Sequence, residues 1–220
     1  NYTLPNGWLI WAAGNRKEDR SSVFEMPRPL ANRFLHLEVE ATYDCFKNYA
    51  LRQNLAEQII AFLGYRPALL HQSNINEYAW PSPRSWEMAS HLLLAGLPIH
   101  SAVGVGAAEE FNSYLDVYNR IPNLDLILSG SGQNIQFPKE ASCKWATTTA
   151  LTTRSKQSNE VLHVFHWLIE KGSAEWVQLY ASDIVNQFKQ RNQLTGLAKV
   201  LMDDGTIASH HKEYDQLLKQ

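Results

Sequence analysis

Cysteine is scarce in this chain. Only Cys45 and Cys143 occur in 220 residues, far apart and in no metal-like spacing. That usage points to a reducing, cytoplasmic setting. Long apolar runs are missing too, so no transmembrane helix is expected. The first residues lack the charged and apolar regions of a signal peptide. No methionine precedes Met26, so the chain is expected to begin inside a longer protein. An excess of charge of one sign is also missing. Lys plus Arg total 20 against 22 Asp plus Glu, for a formal net charge of -2. Bulk attraction to nucleic acid or to an anionic membrane is therefore not expected. The basic residues are scattered rather than interleaved with aromatics along a groove, which also speaks against a single-strand stacking platform. No G-x-S-x-G elbow is present.

Apolar residues make up 45% of the chain and charged residues 19%. A sizeable core is affordable, in one large domain or two small ones. Trp8 to Ala13 is continuously apolar and bulky, as in a strand buried on both faces. Phe34 to Glu40 alternates, with Leu35, Leu37 and Val39 on one face, as in a half-buried strand. Arg16 to Pro29 between them is polar and proline-broken, so mostly loop with at most a short helix. After Glu40 the pattern turns helical. Helices are expected at Asp44 to Gln53, at Leu55 to Leu63 closed by Gly64, and from Pro83 to Gly96. A long one is expected over Ala102 to Asn119, weakened by Gly104 and Gly106. Ile121 to Pro138, with its SGSGQN run, reads as loop. Helices then follow at Ala141 to Thr153, Asn159 to Lys171, Ala174 to Gln190, Gly196 to Met202 and Ile207 to Leu218.

Three short stretches hold candidate chemistry. AAGN places Asn15 where a buried strand ends, the edge at which open α/β sheets bind ligands. A plain turn explains the same residues. LANRF puts Arg33 at the mouth of the next strand, where it can pair locally or reach outward. WPSPRSWE starts a helix with Pro83 and sets Arg84 in its first turn, against the dipole preference for negative charge. An anionic ligand would remove that conflict, and so would plain solvent exposure.

Taken in order, WAAGNRKEDR, MPRPLANRFLHLEVE, WPSPRSWE and the later GVGAAEEF resemble the MoxR-type branch of the AAA+ ATPases. The resemblance covers the first half of the chain and continues beyond it only in helical character. It implies a fold that is mainly α: a partial α/β AAA+ remnant holding the two candidate strands (residues 1–42), a helical lid (43–120) and a further helical array (121–220). It implies roles as well. Asn15 matches the sensor-1 residue that orients the attacking water. Arg33 matches the arginine finger that acts on ATP in the adjacent subunit. Arg84 matches the sensor-2 arginine at the base of the lid. Phosphoryl transfer rests on such positioning and on cations set against spreading negative charge. The resemblance further implies ATP and Mg²⁺ as cofactors of the parent protein, a ring (a hexamer), and a partner with a von Willebrand factor A domain.

The G-x-x-x-x-G-K-[ST] loop that cradles phosphates is missing from these 220 residues. The isolated chain is therefore expected to bind no cofactor and to be inactive, and its first strand to have unpaired edges. Asp203-Asp204 imitates the acidic pair that holds Mg²⁺, but lies downstream of the lid. It reads as a solvated helix end with a Gly205 cap. His163, His166 and Glu170 share a helical stripe that could ligate a metal, yet they flank an apolar face and read as its half-buried border. His210-His211 point apart and make a poor site. Trp80 and Trp86 are expected to pin the lid helix rather than stack on adenine, though Trp80 could do either. The alternative to an ATPase part is a non-catalytic helical interaction module derived from one.

Overall fold

The computed structural model describes residues 3–14, 26–72 and 77–207. These fall into two compact units, Asn1–Glu40 and Ala41–Gln220. The first unit holds one short helix, α1 (Arg28–Ala31), which opens on Pro27 and Pro29. Among the described residues no strand forms. The two expected strands are therefore not seen, and the physical reason is visible in their exposure. Trp8, Leu9, Ile10 and Trp11 are 67–78% exposed, and Leu35, Leu37 and Val39 are 66–91% exposed. An apolar segment becomes a strand by pairing its backbone and burying its side chains. Among the described residues neither segment has a pairing partner.

The described residues of the second unit are mainly helical. Its helices are α2 (Tyr43–Gln53), α3 (Glu57–Tyr65), α4 (Pro83–Leu94), α5 (His100–Val103), α6 (Val105–Tyr118), α7 (Leu124–Leu128), α8 (Ala141–Arg154), α9 (Ser158–Lys171), α10 (Ala174–Gln190) and α11 (Leu194–Asp203). A 3-10 turn, Pro67–Leu70, follows α3. Local chemistry sets several starts. Thr42 Oγ1 accepts from the Cys45 amide at 3.4 Å, and Asn123 Oδ1 accepts from the Asp125 amide at 3.1 Å. Glu160 folds back on the start of α9, accepting from the Gln157 amide at 2.9 Å. Such caps satisfy amides that have no partner within their own helix.

α3 lies at the centre. Ile59, Ile60, Ala61, Phe62 and Leu63 are all at most 1% exposed. They join Trp86 and Phe111 on one side, and Ala146, Ala150 and Leu151 of α8 on the other, in one continuous core. Gly64 does not close the helix as expected but lies within it. A Cβ there would come within 2.6 Å of the Tyr43 hydroxyl and 3.0 Å of Trp145 Cε3. The glycine is a close-packing position between α2, α3 and α8.

Two further departures have local causes. The helix expected over Ala102 to Asn119 is broken at Gly104, whose φ is +83°. A Cβ there would meet the Ala79 carbonyl at 2.7 Å, so the chain turns where only glycine fits. The segment expected as loop contains α7, because Leu124 and Ile127 are buried (2% and 1% exposed) and draw that turn onto the core. The residues expected to form a last helix after Ile207 lie outside the described residues.

Candidate functional site

The start of α4 is the best-defined part of the site. The Gln72 amide donates to the Pro81 carbonyl at 3.0 Å and fixes the approach. Ser82 is extended and caps the helix. Its Oγ accepts from the Ser85 amide at 3.1 Å, while Ser85 Oγ accepts from the Ser82 amide at 2.7 Å. The Ser85 hydroxyl proton goes to the Trp80 carbonyl at 2.8 Å. Pro83 occupies the first turn, where a missing N–H costs nothing. Trp86 is fully buried, and its Nε1–H donates to the Leu69 carbonyl at 2.7 Å. Phe62 and Phe111 pack against its ring at centroid distances of 5.6 and 6.2 Å. Trp86 thus pins the helix as expected. Trp80 is 40% exposed and contributes its carbonyl.

Arg84 stands in this clamped turn and is exposed. No acidic residue lies in the first turn of α4. The nearest carboxylate along the helix, Glu87, accepts from the Tyr49 hydroxyl at 2.8 Å, a bond that holds the Tyr49 phenol above its ordinary pKa. Among the described residues the Arg84 guanidinium makes no ion pair or hydrogen bond. It is a cation held at the positive end of a helix by a rigid base, with its donors open to solvent.

In the first unit, Arg33 follows α1. Its amide donates to the Leu30 carbonyl at 3.0 Å, so the backbone is held while the side chain is exposed. Its guanidinium has no partner among the described residues. His36, three residues on, bonds through Nε2 to the Ala31 carbonyl at 2.9 Å. Asn15 lies outside the described residues.

The remaining candidates are structural. His163 Nδ1 bonds the Leu128 carbonyl at 2.8 Å and His166 Nε2 bonds Asp204 Oδ2 at 3.0 Å. Both are half-buried beside the apolar face of α9, as expected. Among the described residues no group of three or more metal-ligating side chains converges. Asp204 is not a solvated helix end. Its Oδ1 accepts from the amides of Thr206 and Ile207 at 3.1 and 3.0 Å, and its side chain is only 19% exposed. The Ile207 amide, then His166, hold its carboxyl below the ordinary range. Cys45 and Cys143 are both free thiols.

Two features of the second unit left no sequence signal. Glu57 on α3 accepts from Arg154 Nη2 at 2.6 Å and Nε at 3.2 Å, and from the Tyr118 hydroxyl at 2.5 Å. Lys47 on α2 and Asp183 on α10 form an ion pair with both side chains largely buried (5% and 13% exposed). The partners lie 97 and 136 residues apart, so no local spacing announces them. Among the described residues, no helix is long and apolar enough to cross a membrane. No family model, no curated protein and no solved structure matches this chain.

Proposed function

We propose that this chain is the C-terminal part of a MoxR-like AAA+ ATPase that couples ATP hydrolysis to remodelling or maturing a partner protein. The observation that carries the reading is Arg84: an exposed guanidinium, without a partner among the described residues, on a helix start made rigid by Ser82, Ser85 and Trp86. A cation left without a carboxylate at the positive end of a helix suits an anion such as the phosphates of ATP. Arg33 is likewise exposed and without a partner among the described residues, as suits a finger meant for a neighbouring subunit's nucleotide. The exposed apolar segments at Trp8–Trp11 and Leu35–Val39 support the same reading. They carry strand patterns that call for a sheet, and in this reading the phosphate-loop half of the parent supplies it. Asn15 keeps the sensor-1 role by resemblance. The parent would bind ATP and Mg²⁺ and work as a ring, and the extension at 121–220 would contact the partner.

The test has two parts. The reading frame upstream of Asn1 should encode a G-x-x-x-x-G-K-[ST] loop. Calorimetric titration of the 220-residue chain with Mg-ATP should show no tight binding. An upstream frame without that loop would instead favour the non-catalytic interaction module. Tight binding by the chain alone would mean that a phosphate site exists within it, and the half-site reading would have to go.

A further inference from the structure

Residues on either side of position 120 share one hydrophobic core. Phe46, Ile59, Phe62, Trp86 and Phe111 are continuous with Ala146, Leu151, Leu168, Tyr180 and Phe188. Polar ties cross the same line. Glu57 of α3 holds Arg154 of α8, and Lys47 of α2 holds Asp183 of α10. At Gly64 the helices approach so closely that a methyl group would collide with Tyr43 and Trp145. The path from Arg84 is short. Arg84 is two residues from Trp86, Trp86 packs on Phe62, and Phe62 belongs to the helix that carries both Glu57 and Gly64.

A hinge needs a boundary that few contacts cross. No such boundary lies between α4 and α10. We propose that residues 41–207 act as a single lever. The helix that presents Arg84 and the C-terminal helices α8 to α10 move together, with no hinge near residue 120. Resting on the nucleotide role of Arg84, this gives the C-terminal helices a function. A rotation set by phosphate contact at the α4 start is delivered undamped to the far end, where a partner protein would feel it. Glu57 and Lys47 are the positioning residues of the device, because each joins an N-terminal helix of the unit to a C-terminal one.

The experiment places spin labels at Met88→Cys on α4 and Val185→Cys on α10, both exposed in the native chain, in a background with Cys45→Ser and Cys143→Ala. Pulsed dipolar spectroscopy then reads the distance between them. The lever requires one narrow distribution, unchanged in width from water up to the urea concentration at which unfolding begins. Glu57→Gln, a mild variant that keeps the side-chain size, should broaden it while helix content by circular dichroism holds. A broad or two-peaked distribution in the labelled chain overturns the lever, since that is what a hinge produces. A Glu57→Gln distribution as narrow as the wild type removes Glu57 from the device. Neither result depends on ATP, so a failure of the nucleotide reading is seen separately, in the calorimetric titration.

Discussion

The buried pair Lys47–Asp183 offers the sharpest energetic test of how the helical unit is held. Lys47 Nζ lies 5.7 Å from the centre of the Tyr43 ring and against the Asp183 carboxylate, with both side chains largely out of water. Burial pushes the Asp183 carboxyl above its ordinary pKa, Lys47 pulls it back down, and the Asp44 charge adds to the rise. The net direction is upward, so desolvation outweighs the attraction. Removing one partner from such a pair strands a buried charge and costs about 3–5 kcal/mol. A protein of this size has about 5–15 kcal/mol in total. Lys47→Met should therefore lower the urea midpoint by roughly 1–2 M, taking a slope of about 2–3 kcal/mol per molar. Buried Trp86 and Trp176 provide the fluorescence signal.

The pH dependence has a definite sign. Asp183 has a raised pKa in the folded state, so between the ordinary and the raised value the folded chain holds more proton there than the unfolded chain does. Its contribution is most favourable below the ordinary value of 3.8 and is lost as pH rises through the raised value. Without Lys47 the raised value climbs further. The gap between Lys47→Met and wild type should thus be widest at pH 7.5 and narrow as pH falls toward 4.5. The double variant Lys47→Met, Asp183→Leu should return to within about 1 kcal/mol of wild type or exceed it. A single variant within about 1 kcal/mol of wild type at pH 7.5, or a gap independent of pH, would refute the assignment of a costly buried charge.

Other outcomes can be checked in the same chain. Gly64→Ala gains helix propensity but collides with Tyr43 and Trp145, and should lose up to about 2 kcal/mol in chemical denaturation. Gly104→Ala forces an L side chain into positive φ against the Ala79 carbonyl, and should lose at least about 1–3 kcal/mol by the same assay. Arg84→Gln removes a cation from the positive end of α4. It should raise the thermal midpoint slightly at low salt, an advantage that fades as salt is added. A drop in midpoint would mean that Arg84 has a structural partner.

The legibility of this chain divides along physical lines. Helices whose pattern closes locally could be read directly. The Pro83 start of α4 and the amphipathic α9 declare themselves within a few residues. Wherever a long-range contact decided the outcome, the sequence misled or was silent. Gly64 has the form of a cap but serves packing, because Tyr43 and Trp145 approach it from other helices. Leu124 and Ile127 sit in a polar, glycine-bearing stretch, and only the core they enter makes α7. Asp204 looked like a solvated end until His166, 38 residues away, was placed beside it. The apolar patterns at Trp8–Ala13 and Phe34–Glu40 describe strands that need neighbours, and among the described residues they have none. At the candidate site, Arg33 and Arg84 are exposed and have no partner among the described residues. Their roles came from the order of the motifs, which geometry within one chain does not assemble.

The central claim is that Arg33 and Arg84 serve a nucleotide from two directions. The most direct test is steady-state ATP turnover and equilibrium ATP binding by the product of the full reading frame, with each arginine changed to alanine. The account predicts that Arg33→Ala abolishes turnover, by about 10³-fold or more, and leaves ATP binding nearly intact, whereas Arg84→Ala weakens binding as well. Unchanged turnover in the Arg33 variant would contradict the finger assignment, and unchanged binding in the Arg84 variant would contradict the reading of the α4 start.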